Sequence, residues 1–346
     1  MAYTGINKSS SFMNTKLFTG NSGTQALTGV GFQPDWTWIK ARDGTYNHHT
    51  FDSVRGVTKS VTTNENAAET TISGLTAFGT DGFTVGSNTQ TNNNSYSFAS
   101  WNWKAGTSIS GSTTGSGTAK TYTGSVNTTA GFSIVKYTGN GTGGHQIPHG
   151  LGATPKMIFV KRTVGGTGDW YVYHSVVGNT RILKLNYNDG ESGADASFWN
   201  NTSPNSTNFT VGSATAVNYN DSTFVAYCFA EKAGHCSIGK YKGNGNPNGT
   251  FVYTGMKPSW VLVKRSNSAE DWQLIDNKRV GYNPDQNAFN PLNDSAEATT
   301  DSANLFSNGF KPITAGGQIN ASGDTYVYLA FGQTLVGSNN VPCTAR

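Results

Sequence analysis

One ten-residue pattern recurs three times along the chain and limits what it can fold into more than any other feature. Gly31-Phe32-Gln33-Pro34-Asp35-Trp36-Thr37-Trp38-Ile39-Lys40 is matched by Gly152-Ala153-Thr154-Pro155-Lys156-Met157-Ile158-Phe159-Val160-Lys161 and by Gly255-Met256-Lys257-Pro258-Ser259-Trp260-Val261-Leu262-Val263-Lys264. In each copy the Lys follows the Pro by six residues. Recurrence at a fixed order marks a repeated supersecondary unit. The large side chains at Trp36 and Trp38, Met157 and Phe159, and Trp260 and Leu262 alternate, so they share one face of a strand. In the second and third copies the opposite face is apolar as well. A strand of that kind is expected at the centre of a sheet, covered on both sides, with Pro at its entry where no N–H is needed.

The match extends outward. Lys16, Lys136 and Lys240 precede the three prolines by 18, 19 and 18 residues, and each opens a strand that runs into a Gly/Asn turn. Downstream, Gly168-Asp169-Trp170 corresponds to Glu270-Asp271-Trp272, with Tyr46-Asn47-His48 in the first copy. Each copy ends on an apolar strand, 98–103, 224–229 and 326–331. Charged residues are only 13% of the 346, against roughly 25% in an average soluble chain. Gly contributes 43 residues, while aromatics stand at 12% in alternating runs, so short strands and tight turns are expected rather than disorder.

The expected fold is all-β: three tandem divergent repeats, each a small β-sandwich or jelly-roll-like, lectin-like unit. The boundaries read as residues 1–106 for the first unit with an N-terminal arm, 107–130 for an exposed Gly/Ser/Thr linker, 131–234 for the second unit, 235–334 for the third and 335–346 for a C-terminal tail. Whether the units form beads or a pseudo-threefold ring is left open by the sequence. Trp36, Met157 and Trp260 are expected to occupy the same place in three separate cores.

The chemistry is sparse. A net charge of +4 with no basic run argues against a nucleic-acid partner. No apolar stretch is long enough to insert into a membrane, and the first residues lack a secretory pattern. Three cysteines, Cys228, Cys236 and Cys343, make no disulfide framework and no zinc pair, and read as reduced thiols. Gly139-Asn140-Gly141-Thr142-Gly143-Gly144 fits a dinucleotide fingerprint literally, but no helix follows to cap a phosphate, so it reads as a turn. His145 and His149 sit on a Gly/Pro loop rather than a helix face, which disfavours a metal site. Asp169 and Asp271 lack the pairing that glycoside hydrolysis requires and read as turn acids or partners of Lys40, Lys161 and Lys264. No catalytic residue, no cofactor and no metal is assigned, and the chain is expected not to be an enzyme. Trp199 and Tyr187, which lie in Asn-rich segments and have no partner in the other copies, are the candidate glycan-binding aromatics.

The opening Met1-Ala2-Tyr3-Thr4-Gly5-Ile6-Asn7-Lys8-Ser9-Ser10, the 31–40 motif, Gly74-Leu75-Thr76-Ala77-Phe78 and Trp101-Asn102-Trp103-Lys104-Ala105-Gly106 together resemble an uncharacterised repeat family found in virion structural proteins of marine tailed bacteriophages. The resemblance covers nearly the whole chain and carries no catalytic residue. It implies a particle component with a lectin-like sandwich fold. With no heptad or triple-helical shaft pattern in the sequence, the expected role is a globular particle-surface component, either a tail fibre or appendage or a capsid decoration. The protein is then expected in the virion, assembled in the host cytoplasm that reduced cysteines suit, with other virion proteins and copies of itself as partners. The alternative is an adhesin module that binds host-surface glycan.

Overall fold

A computed structural model describes residues 5–283, 287–298 and 302–336. The chain is all-β and antiparallel. Its α-helical segments among the described residues, Thr89–Asn92, Ala196–Trp199, Thr215–Asn218 and Gly317–Asn320, are single turns.

Three larger sheets carry the three Pro/Lys motifs. The first runs, edge to edge, Met13–Thr19, Ser97–Trp103, Trp36–Ala41, His49–Asp52, Lys59–Thr62 and Thr70–Thr71. The second runs Thr107–Ser112, Thr121–Asn127, Phe132–Thr138, Thr223–Phe229, Met157–Val164, Trp170–His174 and Leu183–Lys184. The third runs Cys236–Lys242, Thr325–Thr334, Met256–Arg265, Gln273–Asp276 and Ala288–Phe289. In all three the motif strand lies between the closing strand and the strand that follows the motif. The registers agree too. Trp36 faces Trp103 and Asp52, Met157 faces Phe229 and His174, and Trp260 faces Phe331 and Asp276. Pro34 and Pro155 precede their strands as expected. Pro258 lies inside its strand, beside a bulge between Pro258 and Trp260, which is another place where a ladder tolerates a missing N–H.

Each larger sheet is backed by a three-stranded one, which gives three sandwich-like modules. The small sheets run Gln25–Thr28, Gly82–Val85, Leu75–Gly79; Thr114–Gly115, His145–Pro148, Asn208–Val211; and Val252–Tyr253, Gly309–Pro312, Ala303–Leu305. They cover one face of the motif strands. Ile39 packs with Leu27 and Val85, Ile158 and Val160 with Ile147 and Val211, and Val261 and Val263 with Val252 and Phe310.

The other face corrects the expectation of separate cores. Trp36, Trp38, Met157, Phe159, Trp260 and Leu262 all enter a single cluster, with Trp101, Trp103, Tyr227, Phe229, Leu329 and Phe331 from the closing strands. The physical reason is simple. A sheet that is apolar on both faces needs two covers, and the small sheet supplies one. The aromatic faces of the three large sheets therefore cover each other. Trp36 stacks on Tyr227 with centroids 4.4 Å apart, Phe229 meets Phe331 at 5.9 Å, and Trp103 meets Trp260 at 5.4 Å. The first module thus touches the second, the second the third, and the third the first. The arrangement is a closed ring, not a string of beads.

Backbone bonds follow the same circuit. Gly168 N donates to Asn66 O at 2.9 Å, Glu270 N to Asn188 O at 2.8 Å, and Tyr46 N to Asp294 O at 3.0 Å.

The 107–130 segment is also corrected. It is not a linker. Thr107–Ser112 and Thr121–Asn127 form a hairpin that extends the second large sheet, and Thr114–Gly115 adds an edge to the second small sheet. Its surface is largely exposed, and Ile109 and Tyr122 pack against the second module's core.

Candidate functional site

The two candidate aromatics part company. Trp199 ends the turn Ala196–Trp199, which Asp195 caps by accepting from Ser197 N at 2.8 Å. The turn folds the indole inward. Trp199 is 1% exposed, packs edge-on to Tyr173, and donates its Nε1 to Arg181 O at 3.0 Å. It cannot stack on a ligand, and its assignment to a glycan site is withdrawn. The asparagines that suggested exposure, Asn200 and Asn201, are surface residues that follow a buried ring.

Tyr187 is 41% exposed and lines an open cleft of about 460 Å³ with Asn64, Glu65, Asn66, Ala67 and Asn186. Two corresponding loops make this cleft, one following Lys59–Thr62 in the first module and one following Leu183–Lys184 in the second. Each is pinned by an asparagine. Asn64 Oδ1 accepts from His48 N at 3.0 Å and its Nδ2 donates to Asn47 Oδ1 at 2.7 Å. Asn186 Oδ1 accepts from Trp170 N at 2.9 Å and its Nδ2 donates to Asp169 Oδ1 at 3.0 Å. Lys184 pairs with Asp169 at 3.2 Å and holds its Nζ 4.7 Å from the centre of the Tyr187 ring. Glu65 accepts from Asn47 Nδ2 at 3.0 Å and from Thr62 Oγ1 at 2.9 Å.

The remaining polar residues of the motifs are used inside the protein. Lys40, Lys161 and Lys264 are buried and donate to carbonyls. Lys161 reaches Gly168 O at 2.5 Å and, across the module junction, Glu65 O at 3.2 Å; Lys264 reaches Glu270 O at 2.7 Å and, likewise across a junction, Asn188 O at 3.1 Å. Lys40 donates to Ala41 O at 2.7 Å. Burial lowers all three ammonium groups to about 8, against the pull of nearby carboxylates that include Asp169 for Lys161 and Asp271 for Lys264. Asp169 and Asp271 bond to Asn186 and Asn290 respectively, so they serve different loops.

His145 and His149 have both ring nitrogens occupied. His145 bonds to Asn218 Oδ1 and Thr113 Oγ1 at 3.0 and 2.7 Å; His149 bonds to Asn205 O at 3.0 Å and accepts from Leu151 N at 3.1 Å. Neither offers a lone pair to a metal. Cys228 and Cys236 are free and buried, and burial raises both thiols, Cys228 to about 12. Cys343 lies outside the described residues, as does the C-terminal tail from 337. The Gly139–Gly144 run is a turn. A Cβ on Gly139 would stand 2.4 Å from Tyr219 O, and one on Gly243 would stand 2.2 Å from Ala321 O, so close backbone approach requires glycine at both.

Sequence reasoning missed three asparagines. Asn92, Asn218 and Asn320 end corresponding helical turns and are fully buried. Asn320 accepts from Asn244 N at 3.0 Å and donates to Asn244 Oδ1, Asn246 O and Thr314 O at 2.9, 2.7 and 2.8 Å. Asn92 and Asn218 make the corresponding bonds to Asn21, Gly23 and Gly86, and to Asn140, Thr142 and Gly212. The signal was present, because each stands six residues before the first aromatic of a closing strand, Phe98, Phe224 or Tyr326.

No curated protein and no solved structure matches the chain. One family model does, described as a domain of unknown function (DUF7483), over residues 8–334, and the chain belongs to that family.

Proposed function

We propose that the chain is a non-enzymatic structural component of a tailed-phage virion, a globular block at the particle surface in a tail appendage or capsid decoration. We further propose that its three modules are divergent copies of one β-sandwich unit. The shared strand order, the matched registers and the three asparagine pins support the second statement. The observation that carries the first is the closed aromatic ring. Modules that share one core and pin one another in cyclic order make a stiff building element. Lys40, Lys161 and Lys264, the histidines and the motif acids are engaged in holding that element together. The resemblance to virion structural proteins supplies the setting. The test is mass spectrometry of purified particles, followed by location of the chain in a map of the whole particle. Absence from the particle removes the reading, and turnover of any polysaccharide removes its non-enzymatic part.

The cleft at Tyr187 favours a second reading, in which the chain recognises host-surface glycan. An exposed ring beside short amide side chains is the chemistry a sugar needs, with an apolar face to cover and hydroxyls to satisfy.

A further inference from the structure

The chemistry of the Tyr187 cleft restricts which glycans it can hold. Its volume of about 460 Å³ falls within the range of small-molecule sites, roughly 300–1,000 Å³. Asn64 and Asn186 form its walls, and each amide accepts one bond on its oxygen and donates one from its nitrogen within its own module. Three further side chains can meet a ligand. Glu65 takes one bond on each oxygen, and a carboxylate has about four acceptor sites, so each oxygen retains room for a hydroxyl. Asn66 is exposed and offers an amide donor and acceptor. Tyr187 offers a ring whose electron-rich face attracts the C–H face of a sugar, and Lys184 over that ring fixes its attitude.

Charge then selects. Among the described residues, Glu65 is the only charged one lining the cleft, and the nearby Lys184 is paired with Asp169. A sialic or uronic acid would meet repulsion from Glu65 and find no unpaired cation. We infer that this cleft, at the junction of the first and second modules, is a subsite for a neutral or N-acetylated hexose unit, stacked on Tyr187 with vicinal hydroxyls on Glu65 and Asn66. The inference rests on the glycan-binding reading and specifies its place and ligand class.

The experiment is a glycan array of neutral, N-acetylated and sialylated or uronic oligosaccharides, probed with the full chain and with Tyr187→Ala and Glu65→Gln. Thermal melting first checks that the variants fold, as expected for changes at exposed side chains. The expected result is retention of neutral or N-acetylated glycans only. Tyr187→Ala should weaken it by about tenfold, the equivalent of about 1.4 kcal/mol, and Glu65→Gln severalfold. Binding of acidic glycans alone, or neutral binding that both variants leave intact, overturns this subsite while glycan recognition elsewhere on the chain stands. If no glycan is retained by the unmodified chain, the glycan-binding reading fails and the subsite with it.

Discussion

The indole of Trp101 donates its Nε1 to the buried carboxylate of Asp276 at 2.9 Å, tying the first large sheet to the third. The same Asp276 oxygen accepts from Arg279 Nε at 2.6 Å, while the other caps the turn at Lys278 N and Arg279 N. At the junction of the first and second modules the arrangement recurs. Tyr227 OH donates to Asp52 at 2.7 Å, and Arg55 pairs with that carboxylate. Trp101, Tyr227 and Leu329 hold corresponding registers, opposite Trp38, Phe159 and Leu262. Leu329 has no donor. At its junction the turn residue is His174 instead of Asp, and Val177 stands where the other turns carry Arg. His174 accepts from Val176 N at 3.2 Å and its Nε2 lies 3.4 Å from Tyr328 O. Donor, acid and arginine are thus present together at two junctions and absent together at the third. A buried carboxylate is tolerable only where both partners exist.

Trp101→Phe should therefore destabilise the whole protein. Burial alone would push the Asp276 carboxyl up, but Arg279 and the bonds from Arg279, Trp101 and Lys278 N hold it below the usual range, so it is ionised at neutral pH. Loss of a hydrogen bond to a charged group costs about 1.5–3 kcal/mol. Arg279→Met, which strands the carboxylate, should cost about 3–5 kcal/mol. Urea unfolding midpoints measure both. If Arg279→Met is no worse than Trp101→Phe, the pair is not what holds the acid in place.

The shared core makes a prediction about cooperativity. Trp260→Ala removes a fully buried ring that touches Trp103 of the first module as well as Phe331 of its own. The loss should be about 3–5 kcal/mol. It should appear as one transition displaced as a unit, because a cavity at the common centre weakens all three modules. Trp260→Phe should cost less, since the indole N–H meets no acceptor among the described residues and the smaller ring still fills most of the site. Two separable unfolding transitions in Trp260→Ala, followed by calorimetry, would show that the modules stand independently.

Much of this fold was legible in the residues. Alternation placed Trp36, Met157 and Trp260 on one strand face, and the Pro-to-Lys spacing aligned the three strands. Periodicity reports that a face is apolar but not what covers it, so the common core was not visible. The 107–130 hairpin was missed because Ile109, Tyr122 and Val126 are thinly spread among Ser, Thr and Gly, and most of its surface faces water. The Asn-rich flanks suggest exposure at both Tyr187 and Trp199, and Tyr187 is exposed whereas Trp199 is buried. The difference lies in Asp195, whose cap starts the turn that carries the ring inward. Glu65 and Asn66 escaped notice because a cleft between modules brings together loops more than a hundred residues apart.

The asparagine pins should be individually costly. Asn320→Ala removes three donated bonds and one accepted bond in a buried site, leaving Asn244 N and several carbonyls unmatched. An unsatisfied buried group costs about 1–3 kcal/mol. Asn320→Asp should be at least as damaging at neutral pH, since a carboxylate would face the Asn246 and Thr314 carbonyls that the amide now serves. Unfolding midpoints that leave Asn320→Asp closer to the parent than Asn320→Ala would contradict the donor assignment.

Acid should unfold the protein well before its carboxylates are all protonated. All six histidines are buried. Burial holds His49 and His174 down to about 4 and His235 to about 3, keeps His48 well below its ordinary value, and lowers His145 and His149. In the unfolded chain each returns to about 6.5. Between pH 6.5 and 4 the unfolded state therefore binds more protons than the folded state, so stability rises with pH across that window and is lost as pH falls. Each such histidine contributes a slope of up to about 1.4 kcal/mol per pH unit. Burial raises the carboxyls of Asp35 and Asp271, which act in the opposite sense, but they are two against six. Thermal midpoints at pH 7, 6 and 5 should fall progressively. His49→Gln, which keeps a polar partner for Ser60, should make the fall shallower. A midpoint that stays level from pH 7 to pH 5 would mean that the folded protein accepts charged imidazoles, against the burial of all six.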